Sequence, residues 1–313
     1  MAARFVKCLL LLITFGITCW SQMRVVERIP MARPTTPLQA PSTDGAPPAN
    51  NGIQYNGGPV MNAPHGVNVY LIWYGDWSTD IHTQAVVTDF VTHLGGSPYY
   101  NIATNYYDYK GGEKDFIKNK VTHGGAITDN YSYGSALTDD DIGFILQDSV
   151  TSGKLPADPN GVYMILASAD VDETSGLCSY CCGFHGYQPV SVGNLTNIIG
   201  TFVGNANRCP SLCSWESIVS ATPNSQSTDG MVDTVSHELF ESVTDPLGTA
   251  WINPDGSEIA DLCNGVTGPL KTLPNGASYN LVLGSHAYLV QEIWVNALSG
   301  YCAMRRGIQV DIE

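Results

Sequence analysis

Between residues 66 and 244, short apolar runs of strand composition alternate with segments of helical period. This alternation constrains the fold more than any other feature, because strands interleaved with helices must bury their faces in a layered α/β arrangement. Val67-Asn-Val-Tyr-Leu-Ile-Trp-Tyr74 and Val162-Tyr-Met-Ile-Leu-Ala167 are rich in β-branched and aromatic residues and read as buried strands. A third strand is expected at 197–203 and a short one at 116–121. Residues 81–94 place Ala85, Phe90, Val91 and Leu94 near helical spacing. Thr138 with Asp141 three residues on predicts a capped helix through Ile142, Ile145, Leu146 and Val150. The acidic run 139–141 suits the first turn of that helix and needs no other role. Residues 230–244 predict a further helix, stopped by Asp245-Pro246. Beyond 247 the pattern breaks into turns and short strands.

The first residues set the compartment. Arg4 and Lys7 precede a ten-residue apolar stretch, and Cys19 and Ser21 are small residues ahead of Gln22. This is the pattern of a secretory signal peptide over residues 1–21. Ten apolar residues are too few to span a bilayer. Residues 22–60 carry Pro30, Pro34, Pro37, Pro41, Pro47, Pro48 and Pro59 with little hydrophobic periodicity, so they read as a linker or pro-like segment without a core of its own. A tail is expected at 307–313.

Seven of the nine cysteines lie beyond the leader: Cys178, Cys181, Cys182, Cys209, Cys213, Cys263 and Cys302. Cys178-x3-Cys182 and Cys209-x3-Cys213 are compatible with a zinc knuckle, but an oxidising compartment favours disulfides. Seven is odd, and Cys181 is the expected odd thiol. Asn130-Tyr-Ser and Asn194-Leu-Thr are N-glycosylation sequons, usable in a secreted chain. The 313 residues hold 14 Lys+Arg against 29 Asp+Glu, a net charge of −15. That balance argues against a nucleic-acid partner and against attraction to anionic membranes.

The chemistry concentrates in Ser236-His-Glu-Leu-Phe-Glu-Ser-Val-Thr-Asp-Pro246. On a helix, Met231, Val235, Leu239 and Val243 form one apolar stripe, and His237 and Glu241 fall on the other side, one turn apart. This resembles the H-E-x-x-H helix of zinc proteases with Glu in place of the second His. His237 and Glu241 are the expected metal ligands. Glu238 takes the general-base position that activates metal-bound water. Downstream, Glu258 and Asp261 share a face if 258–261 is a helical turn. By analogy with gluzincin metalloproteases, Glu258 is the third ligand and Asp261 the acceptor that holds the His237 imidazole, or the two roles are exchanged. Cys263 follows directly, so a bridge to Cys302 would fix this segment near the site. One divalent metal is expected. Zinc is the first choice, and the oxygen-rich ligand set leaves calcium and manganese open.

His185, in Cys182-Gly-Phe-His-Gly186, is a candidate metal or substrate contact, because disulfides can immobilise its loop. His65, His82, His93, His123 and His286 read as solvated or hydrogen-bonded. Tyr99, Tyr100, Tyr106, Tyr107 and Tyr109 are expected to cover a core edge with their hydroxyls in water.

Several motifs together resemble the exordium, or phosphate-induced protein, family of secreted plant proteins. They are Gly57-Gly-Pro-Val60 followed by the Val67 strand and Gly75; Ser168-Ala-Asp-Val171; Cys178-x3-Cys182-Gly-Phe-His-Gly186; and Val203-Gly-Asn205 with Cys209-Pro-x-x-Cys213-Ser-Trp215. Asp229-Gly-Met-Val232, His237-Glu-Leu-x-Glu241, Glu258-Ile-Ala-Asp-Leu-Cys263 and Val290-Gln-Glu-Ile-Trp-Val-Asn296 complete the set. The resemblance implies an extracellular or cell-wall location and a link to growth, without an established chemistry. The expected fold is therefore mixed α/β (α+β). It is a zincin-like mixed sheet with an active-site helix, followed by a disulfide-braced irregular C-terminal region, within an exordium-like globular domain at 61–306. The expected function is a secreted metal-dependent hydrolase acting on an extracellular peptide or cell-wall component. The alternatives are a non-enzymatic extracellular protein linked to growth or signalling, and a structural metal-binding domain.

Overall fold

The computed structural model describes residues 22–26, 52–297 and 300–306. The expected leader, most of the proline-rich linker and the tail at 307–313 lie outside the described residues.

A six-stranded mixed sheet organises the molecule. Its strands are β1 (Arg24–Val25), β2 (Val67–Tyr74), β3 (Val121–Asp129), β4 (Gly161–Ala167), β5 (Gly183–Val192) and β6 (Leu195–Val203), in the spatial order β1-β5-β6-β4-β2-β3. β6, β4, β2 and β3 run parallel, and β5 and β1 add antiparallel at one edge. Parallel strands covered on both faces need near-continuous apolar sequence. β4 is buried at every position, and β2 at all but Asn68.

The period of two sorts β2 between two cores. Val69, Leu71 and Trp73 face one cluster with residues of α1 (Ile81–Leu94) and α3 (Gln226–Thr244). Tyr70, Ile72 and Tyr74 face the other with Ile142, Ile145 and Leu146 of α2 (Asp139–Thr151). α2 opens with the expected capping box: Thr138 accepts from the Asp141 amide, and the Asp141 carboxylate accepts from the Thr138 amide.

α3 packs against β5, β6 and α1. Its approach to β5 is so close that a Cβ at Gly183 would sit 2.7 Å from Thr234 and from the Phe202 carbonyl, so only glycine fits there. The expected oily stripe of α3 faces the core, but its other side is covered as well. Every residue from Thr228 to Thr244 is buried, the acids included.

Beyond α3 the chain makes three short hairpins: Lys271–Thr272 with Ser278–Tyr279, Leu281–Leu283 with His286–Tyr288, and Ile293–Val295 with Tyr301–Ala303. Among the described residues three disulfides brace the molecule: Cys178–Cys209, Cys182–Cys213 and Cys263–Cys302. The two C-x3-C motifs thus bridge to each other. Cys181 is buried and stands outside the three bridges. Asn130 and Asn194 are both exposed.

Four expectations need correction. Residues 22–60 are not wholly outside the core: Arg24 and Val25 pair with Tyr187 and Gly186, Met23 is buried, and so are Ile53 and Val60. The unpaired edge of β5 accounts for the first contact, because its backbone groups need partners. The strand expected at 116–121 is split. Phe116 ends a short strand, Glu113–Phe116, and Val121 begins β3. Between them Asn119 accepts from the Gly96 amide and donates to the Ser97 carbonyl, tying this stretch to the end of α1. The segment after Cys182, read as loop, is β5. Tyr99, Tyr100 and Tyr106 are fully buried, and their hydroxyls do not reach water. Tyr99 donates to the Gln291 carbonyl, and Tyr106 to the Trp294 carbonyl.

Candidate metal centre

Three pieces of chain converge at β5. α3 supplies His237, Glu238 and Glu241, β5 supplies His185, and the turn after residue 257 supplies Glu258 and Asp261. His185, His237, Glu238, Glu241 and Glu258 are all within 1 % of complete burial. The His237 Nε2 lies 3.2 Å from Glu241 Oε2 and 3.4 Å from Asp261 Oδ1. His185 Nδ1 lies 3.7 Å from Glu238 Oε2 and 3.9 Å from Glu241 Oε2, and its Nε2 is 3.5 Å from Glu258 Oε2. Two triads result, His185/Glu238/Glu241 and His237/Glu241/Asp261, each with its ligand atoms within 4.8 Å of one another. Glu241 belongs to both.

The backbone aims these acids. Glu241 Oε1 accepts from the Ala260 and Asp261 amides at 3.1 and 3.2 Å, which turns Oε2 inward. Asp261 Oδ2 accepts from the Glu258 amide at 2.7 Å, which turns Oδ1 toward His237. Asp245, at the end of α3, accepts from the Thr249 and Ala250 amides through Oδ1. The inward atoms Glu238 Oε2, Glu241 Oε2, Asp261 Oδ1 and Asp245 Oδ2 are buried and accept no hydrogen bond among the described residues. Among the described residues no lysine or arginine pairs with these acids; their charged neighbours are the two imidazoles.

Gln291 fixes the orientation of His237. Its Nε2 donates to the Ala260 carbonyl at 2.7 Å, so its Oε1 faces His237 Nδ1 at 3.2 Å. His237 therefore carries hydrogen on Nδ1 and turns Nε2 toward the carboxylates. A neutral ring would oppose a lone pair to negative oxygen there. The arrangement needs a proton or a cation on that side. Burial works to lower the His237 pKa, but the charges of Glu241 and Asp261 outweigh it and hold the group well above the usual imidazole range. Burial, with the charge of Asp261, pushes Glu241 up to about 7. In His185 burial again lowers, and Glu238 and Glu241 raise the pKa overall. Packing several ionised acids out of water is very costly unless protons or a cation compensate. Carboxylate and imidazole together form a donor set suited to zinc, manganese or calcium.

The structure brings all of the sequence-nominated residues into one cluster but divides them differently. Glu258 lies beside His185, whereas Asp261 lies beside His237. Glu238 Oε2 lies 3.7 Å from His185 Nδ1 and shares a triad with His185 and Glu241. Gln291, which orients His237, and Asp245 were not anticipated. Gln291 lies in the Val290-Gln-Glu motif, but nothing local in the sequence ties it to a histidine 54 residues away.

The family model described as the phosphate-induced protein 1 conserved region matches residues 53–304. The chain belongs to this family. Protein EXORDIUM-like 3 of Arabidopsis thaliana is 31 % identical over 286 residues, covering 80 % of this chain and 82 % of the relative. Protein EXORDIUM-like 5 of the same plant is 28 % identical over 278 residues, covering 77 % and 75 %. No solved structure matches. Every residue of the His185/His237 cluster falls within the matched region. The disulfides and the exordium-like relatives fit an extracellular protein, and among the described residues no helix is long and apolar enough to cross a membrane.

Proposed function

We propose that this chain is a secreted exordium-like protein whose fold is locked by a buried divalent metal, zinc being the first choice, held among His185, His237, Glu238, Glu241, Glu258 and Asp261. One observation carries the reading: two imidazoles and four acids meet with side chains at most 3 % exposed, and among the described residues the inward oxygens of Glu238, Glu241 and Asp261 accept no hydrogen bond. A closed ligand shell is the mark of a structural metal site, whereas catalytic sites keep a position open to water. The metal would neutralise the acids and join α3, β5 and the 258–261 turn. Elemental analysis of the purified protein, before and after dialysis against a chelator, tests it. The expected result is a stoichiometric divalent metal, whose removal lowers the melting temperature, and its loss in His237→Ala. A metal-free protein that melts identically with and without chelator overturns it.

The H-E-x-x-E series supports a second reading, a metal-dependent hydrolase of the peptidase type. There Glu238 would move a proton to and from water, and an extracellular peptide or cell-wall component would be the substrate. The burial of the whole cluster weighs against it. Hydrolysis of a protein substrate that is lost in Glu238→Gln, with metal content intact, would favour the second reading over the first.

A further inference from the structure

A second site lies at the carboxyl ends of the parallel strands. A cleft of about 560 Å³ is lined by Asp76, Trp77 and Asp80 after β2, Ser168 and Asp170 after β4, and Asn205 after β6. The chain leaves β2 toward β3 on one side, and leaves β4 toward β5 and β6 on the other. In open parallel sheets such a divergence creates a crevice where ligands bind.

The walls are built and fixed. Asp170 accepts from Ser168 Oγ at 2.6 Å and from the Tyr131 hydroxyl at 2.5 Å. The Asp76 amide donates back to both of those hydroxyls. The Trp77 indole donates to the Tyr74 and Leu166 carbonyls and is held edge-on to Trp73. Bonds from Ser78 keep Asp76 below the usual carboxylate range. In Asp170 burial acts upward, but the Ser168 and Tyr131 bonds bring it below that range as well.

Two groups in the cleft have unused capacity. Asn205 is 3 % exposed, and its Oδ1 accepts from the Asn207 amide, but its Nδ2 has no partner among the described residues. Asp80 caps α1 through Oδ1, while its Oδ2 is buried and accepts nothing among the described residues. One orphan is a donor and the other an acceptor. A metal ion would satisfy only the acceptor, and an anion only the donor. The carboxylates of Asp76, Asp80 and Asp170 also do not come within 4.8 Å of one another as a metal triad, among the described residues. Among the described residues no lysine or arginine lines the cleft. A hydroxyl gives and receives, and fixed carboxylates and amides spaced around an indole suit a ligand with several hydroxyls. We infer that this cleft binds a neutral saccharide, through Asp80, Asp170 and Asn205.

Isothermal titration of the full purified protein tests this, with D-glucose, D-galactose, D-xylose, L-arabinose and cellobiose, and separately with calcium chloride. At least one sugar should bind. Asn205→Asp keeps the bond from Asn207 but removes the donor. Asp80→Asn keeps the α1 cap, since Asn caps as well as Asp. Each should weaken binding about tenfold, the effect of one buried hydrogen bond, with the melting temperature unchanged. Absence of binding for every sugar, sugar binding indifferent to both variants, or binding of calcium in place of sugar overturns the inference. None of these readouts depends on the centre around His237, so that reading can fail without this one.

Discussion

Glu292 offers a clean test of how this fold tolerates buried acid. It follows Gln291, is 6 % exposed, and its Oε2 is buried with no hydrogen-bond donor among the described residues. Burial alone pushes its pKa from 4.5 up to about 7. The folded protein therefore holds this proton more tightly than the unfolded chain. Below pH 4.5 both states are protonated, and the group costs nothing. As pH rises from 4.5 to 7 the unfolded chain releases its proton first, so stability falls through that window. At about 1.4 kcal/mol per pH unit, the full cost above pH 7 is about 3 kcal/mol. Glu292→Gln keeps the shape and removes the titration. The variant should match the parent at pH 4 and exceed it by up to about 3 kcal/mol at pH 8. Urea unfolding of both proteins across pH 4–8 measures the difference, and contributions from the His237 cluster cancel because they are common to both. A difference that is flat with pH would refute the argument that desolvation governs this carboxyl.

Two further perturbations probe the scaffold. Phe240 is fully buried, with its ring 5.2 Å from that of Tyr99 and 5.4 Å from that of Tyr100. Phe240→Ala should cost about 3–5 kcal/mol in urea unfolding. Thr138→Ala removes half of the capping box of α2 and should cost about 1 kcal/mol, with the circular dichroism of the folded state unchanged.

Local pattern carried much of the fold. The β2 and β4 runs are legible because strands covered on both faces need unbroken apolar sequence. α1 and α2 are legible from their period and, for α2, from the Thr138 cap. β5 is not. Gly-Phe-His-Gly-Tyr-Gln-Pro has two glycines, a proline and a histidine, and scans as loop. It becomes a strand because β6 offers a partner and α3 presses so close that glycine is needed at 183. His185 enters the cluster only through that pairing. The 258–261 segment misled in a different way. A regular helical turn would put both acids on one face, but only Asp261–Cys263 is helical, as a 3-10 turn, and the two side chains reach different imidazoles.

The Cys263–Cys302 bridge makes the end of the chain matter to its middle. It staples the stretch bearing Glu258 and Asp261 to the last hairpin, across 39 residues of sequence. A version shortened before residue 302 would thus forfeit more than a surface ribbon. The two acids would be moored by noncovalent contacts alone, and so would the geometry that sets Asp261 against His237.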